Sequence, residues 1–358
     1  MKSFLFIAYY FPPEPYAASI RAYNYIKYLK NFFKPYVLTK RITKASIKDN
    51  SLYKDLSGIR VERVFDYISY IKTFLKFKGG SGREIKRILK PFYDRAKNLL
   101  EKEKVDFIAL TVPPFELLKV GVSLKKRFNL PLICEIRDPA DFESGKRFKR
   151  LIKNIEGIVD LFIGSHEYVL KTFGIDGYVL EAGAIKFERK NHEGFNIVYT
   201  GTLKNAEESF FRFIEYTKNL NYRLYLLGSD IKVKDKRVIT PGYVNYDELI
   251  NYFEIADLFI IFRDSDTKNY IPLKFFEYSG GDVPVLAYFR KSSNLFKYIK
   301  TFEKGKGFVW GEEKSMIDYL ESLIKNPMSV KNISKSWEDV CMDFLNLINE
   351  KIFNRGNC

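Results

Sequence analysis

The chain has 358 residues, of which 46% are hydrophobic and 16% aromatic, enough apolar material for two packed domains of ordinary size. Its three cysteines show no C-x-x-C spacing and it has two histidines, which argues against a disulfide framework and a zinc site, so no metal is expected. Its apolar runs are far shorter than the roughly 18 residues of a membrane-spanning helix. It also begins without a signal-peptide pattern, so a cytoplasmic protein is expected.

The positive charge is concentrated in the first half of the chain. Residues 1–180 hold 34 Lys and Arg against 19 Asp and Glu, a net charge of +15, whereas residues 181–358 hold 26 against 25, a net charge of +1. A basic surface of this size attracts a polyanion, and because the chain has no nucleic-acid motif we expect the anionic inner leaflet of the cell membrane. The alternative is a solvated, lysine-rich surface without a partner.

Short apolar runs alternate with helical periodicity over residues 1–185, a pattern typical of a parallel sheet covered by helices. Residues 3–8 are predicted to form a buried strand, which a proline-rich loop joins to an amphipathic helix. Ser165 is the predicted N-cap of a later helix. The further predicted strands are 36–38, 59–61, 107–110, 131–136 and 160–165.

Segment 71–97 holds nine basic and two acidic residues, interleaved with large apolar side chains. An interfacial element of this composition buries Phe and Leu while its Lys and Arg meet lipid head groups. We therefore predict that this segment docks on the membrane. The alternative is an amphipathic helix that covers the sheet.

The charged pair Arg137-Asp138 directly follows the predicted strand 131–136. Binding and catalytic groups of open α/β sheets gather beyond the carboxyl ends of strands, so this pair is a site candidate. The alternative is a structural Arg–Asp pair that braces a loop.

A polar break at 181–193 separates two predicted domains, 1–185 and 186–328, and a final helical segment covers 329–358. The strand at 195–202 ends at Gly201, where the chain can pass close to a ligand, and the hydroxyl of Thr202 can donate to a phosphate. The next predicted elements are a helix from 205, a strand at 224–228, a turn at 241–244, a helix at 246–255 and a strand at 256–261.

A short helix is predicted between Pro272 and the pair Gly280-Gly281, with Lys274 and Glu277 on one face. Lys274 lies in the first turn, where free backbone N–H groups also favour a phosphate. Glu277, one turn further, can accept both hydroxyls of a ribose. The pattern predicts a nucleotide site; the alternative is a surface Lys–Glu pair.

Three motifs together resemble the retaining GT-B glycosyltransferases of family 4. Residues 272–278 read Pro-Leu-Lys-Phe-Phe-Glu-Tyr, close to the Pro-Ser-Lys-x-x-Glu-Tyr run of the family, and Asp-Val-Pro-Val at 282–285 is similar to its Gly-Pro-Val turn. Residues 10–14 repeat its Tyr-Phe-Pro-Pro-Glu run, and 137–139 its Arg-Asp-Pro motif. The order of elements also resembles the family over nearly the full length.

The resemblance implies an α/β protein of the GT-B fold, two doubly wound parallel-sheet (Rossmann-like) domains facing across a cleft, with a final helix that crosses back to the first domain. It implies transfer of a sugar from a nucleotide-sugar donor to a glycan or lipid-linked acceptor in cell-envelope glycan synthesis. Retention of anomeric configuration is implied, without a metal or cofactor. The expected location is the inner face of the cell membrane, peripherally bound.

The resemblance also implies roles for individual residues. Asp138 and Lys274 are the expected catalytic residues. Lys274 can stabilise the departing diphosphate, and Asp138 is expected on the acceptor side. The acceptor side is expected to hold Glu14, Arg137 and Asp138. The donor side is expected to hold Gly201, Thr202, Lys204, Tyr243, Arg263, Lys274 and Glu277.

The chain departs from the family pattern at several positions. Ala17-Ala18 replaces a glycine pair, Ala140 an aromatic residue, and Asn269 the first of two glutamates. Thr202 and Glu207 occupy the places of the usual diphosphate-binding Arg and Lys. These departures leave open a catalytically inactive GT-B protein that binds a partner. The net charge alone leaves open a nucleic-acid-binding protein, although the chain lacks the aromatic-and-basic motif that single-strand binders use and no nucleic acid is expected.

Overall fold

The computed structural model describes residues 1–42, 47–65, 82–140, 143–264, 271–300, 305–330 and 334–354. The chain divides into two compact units, unit 1 formed by residues 1–181 and 338–358, and unit 2 formed by residues 182–337. Each unit is built on one parallel sheet with its own hydrophobic core.

Unit 1 contains a seven-stranded sheet with the order β3-β2-β1-β4-β5-β6-β7, in which all paired strands are parallel. The strand order reverses between β1 and β4, as in a doubly wound Rossmann-type sheet. Its strands are β1 Ser3–Ala8, β2 Lys34–Lys40, β3 Arg60–Val64, β4 Phe107–Val112, β5 Leu132–Ile136, β6 Leu161–Gly164 and β7 Tyr178–Val179. Its helices up to residue 173 are α1 Ala17–Leu29, α2 Gly82–Lys102, α3 Leu117–Phe128, α4 Glu143–Ile155 and α5 Glu167–Phe173, and a 3-10 turn covers Asn50–Leu56.

The continuous apolar runs predicted as strands are the central strands of this sheet. Every residue of β1 and of β4 is buried, because helices cover both faces. Phe4 of β1 lies opposite Phe107 of β4, and the two rings stack with centroids 5.0 Å apart. Aromatic stacking of this kind adds to the stability gained by burial alone.

Unit 2 contains a six-stranded parallel sheet with the order β10-β9-β8-β11-β12-β13. Its strands are β8 Asn196–Thr200, β9 Arg223–Leu227, β10 Val238–Gly242, β11 Leu258–Arg263, β12 Val285–Phe289 and β13 Gly305–Val309. Its helices are α6 Glu207–Tyr216, α7 Leu249–Glu254, α8 Leu273–Tyr278, α9 Asn294–Lys300 and α10 Glu313–Lys325. The prediction of two doubly wound parallel α/β domains is therefore confirmed.

The last helix, α11 Trp337–Ile348, continues into a π-helical turn at Asn349–Phe353 and packs on unit 1 from residue 338 onward. The ring of Phe344 lies 5.0 Å from that of Tyr25 in α1. Phe353 lies 5.8 Å from Phe107 in β4. These aromatic contacts attach the C-terminal segment to the core of unit 1.

Two local predictions are wrong. His166, not Ser165, is the N-cap of α5: its Nδ1 accepts the N–H of Tyr168 at 3.2 Å, while the Ser165 hydroxyl donates to the Arg137 carbonyl at 2.8 Å. The predicted turn at 241–244 begins within a strand, because β10 extends to Gly242. Residues 71–81 of the predicted membrane segment 71–97 lie outside the described residues, as does Asn269, whereas residues 82–97 belong to α2.

Candidate functional site

The short helix α8 forms as the sequence predicts, between Pro272 and the glycine pair at 280–281. Pro272 is its N-cap, with φ −69° and ψ 146°, and the helix runs from Leu273 to Tyr278. Tyr278 anchors it to the sheet, since its hydroxyl accepts the N–H of Thr200 at 2.7 Å. The ring of Tyr278 stacks on Phe259 of β11 with centroids 4.3 Å apart. The helix is therefore fixed against both β8 and β11.

Lys274 of α8 lies against the end of β8, beside Gly201. Its Nζ donates to the Thr200 carbonyl and lies 3.9 Å from the ring centroid of Tyr199. Gly201 has φ +92°, and a Cβ at this position would come within 3.4 Å of that Nζ. Glycine is thus needed for the backbone conformation, and its lack of a side chain leaves the ammonium room.

Glu277 shares the buried face of α8 with Lys274, and only 6% of its surface is exposed. Burial raises the pKa of Glu277 to about 7, against the opposing charge of Lys274. Burial lowers the pKa of Lys274 to about 7; Glu277 opposes this shift and the nearby charge of Arg263 adds to it. The two groups therefore change their charge near neutral pH, a property frequent at functional sites.

A cavity of about 710 Å³ opens beyond the carboxyl ends of β8, β9, β11 and β12 in unit 2. Ligands of open α/β sheets bind at this edge. Thr202 and Lys204, both predicted donor residues, line the cavity, as does Glu207. The remaining lining residues are Leu203, Asn205, Glu208, Gly228, Ser229, Asp230, Ile231, Asp264 and Arg290.

The start of α6 at this cavity is capped by the chain itself. The carboxylate of Asp264 accepts the N–H groups of Glu208 and Ser209 at 2.9 and 2.7 Å. Its backbone N–H donates to the Asn205 carbonyl at 2.9 Å. Because a carboxylate already occupies two N–H groups of this helix end and would repel a phosphate there, cationic side chains are the groups suited to hold a phosphate in the cavity.

Two cations among the described residues that line the cavity can serve that purpose. Lys204 is exposed and has no acidic partner within the described part of the chain. Arg290 follows β12, lies 3.0 Å from a carboxylate oxygen of Glu208, and stands over the ring of Trp310 at 4.9 Å. Sequence analysis did not predict Arg290 as a site residue. Its position directly after a strand was the one feature that could have indicated a role in binding.

The other predicted donor residues lie at the same sheet edge outside the cavity lining. Arg263 ends β11, with its guanidinium carbon 5.9 Å from the ring centroid of Phe289, and it acts on the pKa of Lys274 by charge repulsion. Tyr243 follows β10 and is 37% exposed. Gly201 precedes the lining residue Thr202 and lies beside the lining residue Gly228, and Lys274 lies against Gly201.

The predicted acceptor residues lie in unit 1, where Arg137 and Asp138 follow β5. The Arg137 guanidinium donates to the Pro113 carbonyl, whereas its Nε is buried without a hydrogen bond to any described residue. Burial lowers the pKa of Arg137, and the charges of Asp138 and Glu135 oppose that shift. Asp138 is partly exposed beside it.

Glu14 differs from the other predicted acceptor residues because it is only 1% exposed and forms an ion pair with Lys40. Lys40 is itself buried and lies near the rings of Tyr9 and Tyr10. A buried pair of this kind fixes the proline-rich loop to β2. The structure thus gives Glu14 an internal partner.

No cluster of three His, Cys, Asp or Glu side chains able to hold a metal occurs among the described residues. Within the same residues, no helix is long and apolar enough to cross a membrane.

Comparison with known proteins identifies the fold. No protein-family model and no curated protein matches the chain. Among solved structures, the sucrose-phosphate synthase of Thermosynechococcus elongatus is similar with a TM-score of 0.70 at 13% identity, covering 98% of this chain and 99% of that one. MurG of Acinetobacter baumannii has a TM-score of 0.58 at 12% identity, covering 97% and 99%.

A complex of MnaA from S. aureus with UDP is equally similar, with a TM-score of 0.58 at 12% identity and coverage of 98% and 96%. At such identities the likeness establishes the architecture. The chain has the GT-B fold, with two Rossmann-like parallel-sheet domains.

Proposed function

We propose that the protein is a glycosyltransferase that takes a sugar from a nucleotide-sugar donor bound in unit 2. The observation that carries this proposal is the placement of Lys274 against Gly201, with Glu277 one turn away and the cavity adjoining. A partly buried cation beside a glycine accommodates a diphosphate, and a buried carboxylate can accept both hydroxyls of a ribose. The UDP held by the similar MnaA structure supports a nucleotide ligand.

In the proposed reaction the bond between the anomeric carbon and the diphosphate oxygen breaks, and a hydroxyl oxygen of the acceptor bonds to that carbon on the same face. The acceptor proton passes to the departing diphosphate. Negative charge grows on the diphosphate as the bond breaks, so Lys274, together with Lys204 and Arg290, lowers the barrier by stabilising that charge. Asp138 acts on the acceptor side. These cations supply the charge that a metal would otherwise provide.

The proposed acceptor is a glycan or a lipid-linked sugar of the cell envelope, reached while unit 1 rests on anionic lipid at the inner face of the membrane. Lys146, Lys149 and Arg150 support this docking, because they are exposed on α4 without an acidic partner in the described ranges. Such residues contribute about 1 kcal/mol each near an anionic bilayer surface.

The test of donor binding is calorimetry with Glu277→Ala, after the cognate nucleotide sugar has been identified by its effect on the melting temperature. We expect binding to weaken by about 1.5–3 kcal/mol, the value of hydrogen bonds to a charged group. Glu321→Ala, on the exposed face of α10, is the matched control and should bind like the wild type. An unchanged affinity of a folded Glu277→Ala variant would exclude Glu277 from the site.

A second candidate function is nucleotide binding without turnover. The cavity favours this alternative in one respect, because the described residues that line it carry four carboxylates, from Glu207, Glu208, Asp230 and Asp264, against two cations. An excess of carboxylates opposes the additional negative charge that develops on a leaving diphosphate, so it hinders turnover more than binding. Tight binding of a nucleotide sugar without release of its diphosphate, with any acceptor, would select this alternative.

A further inference from the structure

A groove of about 640 Å³ opens between the helices α2, α3 and α4 of unit 1. Its volume falls in the range of about 300–1,000 Å³ typical of sites for small ligands. The apolar residues that line it are Leu89 and Tyr93 of α2, Leu118, Val120 and Val122 of α3, and Leu151 and Ile155 of α4.

The groove has a buried floor and accessible walls. Leu89, Leu118 and Ile155 belong to the core and are at most 5% exposed. Tyr93, Val122 and Leu151 are only partly buried, although they pack against that core. A bound apolar group would remove these three walls from water, which is favourable at about 25 cal/mol per Å² of apolar surface.

The polar groups at the groove leave one lysine available. Lys90 forms an ion pair with Asp94. Lys119 of α3 also lines the groove, and within the described part of the chain it has no carboxylate partner. Lys126, two turns further along α3, is exposed and equally unpaired among these residues. Among the described residues, the apolar recess therefore has at its edge a cation without a carboxylate partner.

We propose that this groove holds a single hydrocarbon chain of an anionic membrane lipid, with the lipid phosphate paired to Lys119. An apolar recess beside an unpaired cation is complementary to an amphiphile with an anionic head, whereas a partner helix would need a longer apolar surface than three half-buried side chains offer. The inference rests on the proposed docking of unit 1 on anionic lipid and does not depend on glycosyl transfer.

The groove is tested on the full chain with monomeric alkyl phosphates, which remain in solution and so bypass docking on a bilayer. Calorimetry with octyl, decyl and dodecyl phosphate should show affinity rising roughly fourfold per added methylene until the groove is filled, since each buried methylene contributes a constant increment. Inorganic phosphate alone should bind at least a hundredfold more weakly than dodecyl phosphate.

Two pairs of variants separate the groove from the rest of unit 1. Val122→Trp fills the groove and should weaken dodecyl phosphate binding by about tenfold or more, while Val179→Trp, a matched change at a 40% exposed site on β7, should leave it unchanged. Lys119→Ala should weaken dodecyl phosphate about tenfold without affecting dodecanol, whereas Lys126→Ala should change neither. Circular dichroism melts confirm that each variant folds.

Affinity independent of chain length, or equal binding by Val122→Trp and the wild type, would overturn the proposal. Self-association of the wild type that Val122→Trp abolishes, without alkyl phosphate binding, would instead assign the groove to a second copy of the chain. If alkyl phosphates fail to bind while the protein still floats with anionic vesicles, the groove proposal fails and the docking proposal stands.

Discussion

Lys274 links the helix α8 to the end of β8. Its ammonium group contacts the Thr200 carbonyl and the face of the Tyr199 ring, and it lies beside Gly201, which has no side chain. The carbonyl and the ring both attract a cation, whereas burial opposes the charge. A diphosphate beside Gly201 would tip this balance toward the ammonium. The position of Lys274 is therefore fixed before the ligand binds, whereas its amine becomes fully protonated only when the diphosphate is bound.

The ionisation of this pair predicts a bell-shaped pH dependence of donor binding. The pKa of Lys274 is about 7, so above this pH the lysine must take up a proton before it can pair with the diphosphate, and this weakens binding. The pKa of Glu277 is also about 7, so below this pH the carboxyl group must lose a proton before it can accept the ribose hydroxyls. Affinity for a nucleotide sugar, whose phosphates stay ionised throughout, should peak near pH 7 and fall by up to about tenfold per pH unit on each side.

Calorimetry between about pH 5.5 and 8.5 measures this profile. Lys274→Met should abolish the alkaline limb and Glu277→Gln the acid limb, because each variant removes one titrating group. Glu321→Gln, on α10, should keep both limbs. A flat profile of the wild type would show that the pair does not contact the donor.

Sequence patterns could place Lys274 and Glu277 on one helix face, because that requires only the spacing of two residues on one element. They could not identify Arg290, which reaches the cavity only because β12 pairs beside β11 in the folded sheet. They also could not show that Glu14 is buried against Lys40, a pairing of residues 26 positions apart that follows no periodicity.

At the level of elements, the loop before residue 188 packs closely against the end of α8. Gly280 lies so close to this loop that a Cβ there would be 1.6 Å from the Ile185 carbonyl oxygen. A Cβ at Gly281 would be 2.3 Å from the ring of Phe187. The glycine pair thus allows backbone and ring to approach the end of the helix, in addition to ending it.

Gly280→Ala should therefore lower the free energy of unfolding by about 1–3 kcal/mol or more, because backbone atoms must move to admit the methyl group. Chemical denaturation followed by circular dichroism measures the change. Gly157→Ala is the control, since no atom lies within 4 Å of the added Cβ and the effect should stay within about 0.5 kcal/mol. Equal stabilities of the two variants would mean that the loop at 185–187 can move to admit the methyl group without a measurable loss of stability.

Elements with strong periodicity or continuous apolar runs could be predicted closely, as for β1 at Ser3–Ala8 and α8 at Leu273–Tyr278. Element boundaries that depend on individual hydrogen bonds could not be predicted. Ser165 has the usual chemistry of an N-cap, but its hydroxyl instead bonds to the Arg137 carbonyl across the sheet edge, and the His166 ring caps α5. Tertiary contacts at that edge decide the choice.

For the whole molecule, the contrast of +15 in residues 1–180 with +1 in residues 181–358 predicts binding to acidic membranes. Flotation with vesicles that contain phosphatidylglycerol should recover the protein at low salt. Recovery should decline as salt rises, because screening weakens the attraction of each basic residue. The triple variant Lys146→Ala, Lys149→Ala, Arg150→Ala should float less, whereas Lys234→Ala, Lys236→Ala in unit 2 should not.

Equal flotation with neutral and acidic vesicles would contradict membrane docking. Strong, salt-sensitive binding to RNA with no vesicle binding would favour a nucleic-acid partner.

The fold could be predicted from sequence because alternating buried strands and amphipathic helices allow few topologies, and the two sheet orders match the doubly wound arrangement expected. The chemistry is less constrained, since one fold supports many activities. The departures at Thr202 and Glu207 bear directly on activity, because both residues line the cavity where a diphosphate would lie.

Transfer from a nucleotide sugar is tested most directly by proton NMR of the protein incubated with UDP-, GDP- and dTDP-sugars and candidate acceptors. We expect release of the nucleoside diphosphate from one donor class, a product with the anomeric configuration of that donor, and a rate about 10²-fold lower for Lys274→Met. A product of inverted configuration, or a wild type that neither binds nor consumes any of these donors, would contradict this expectation.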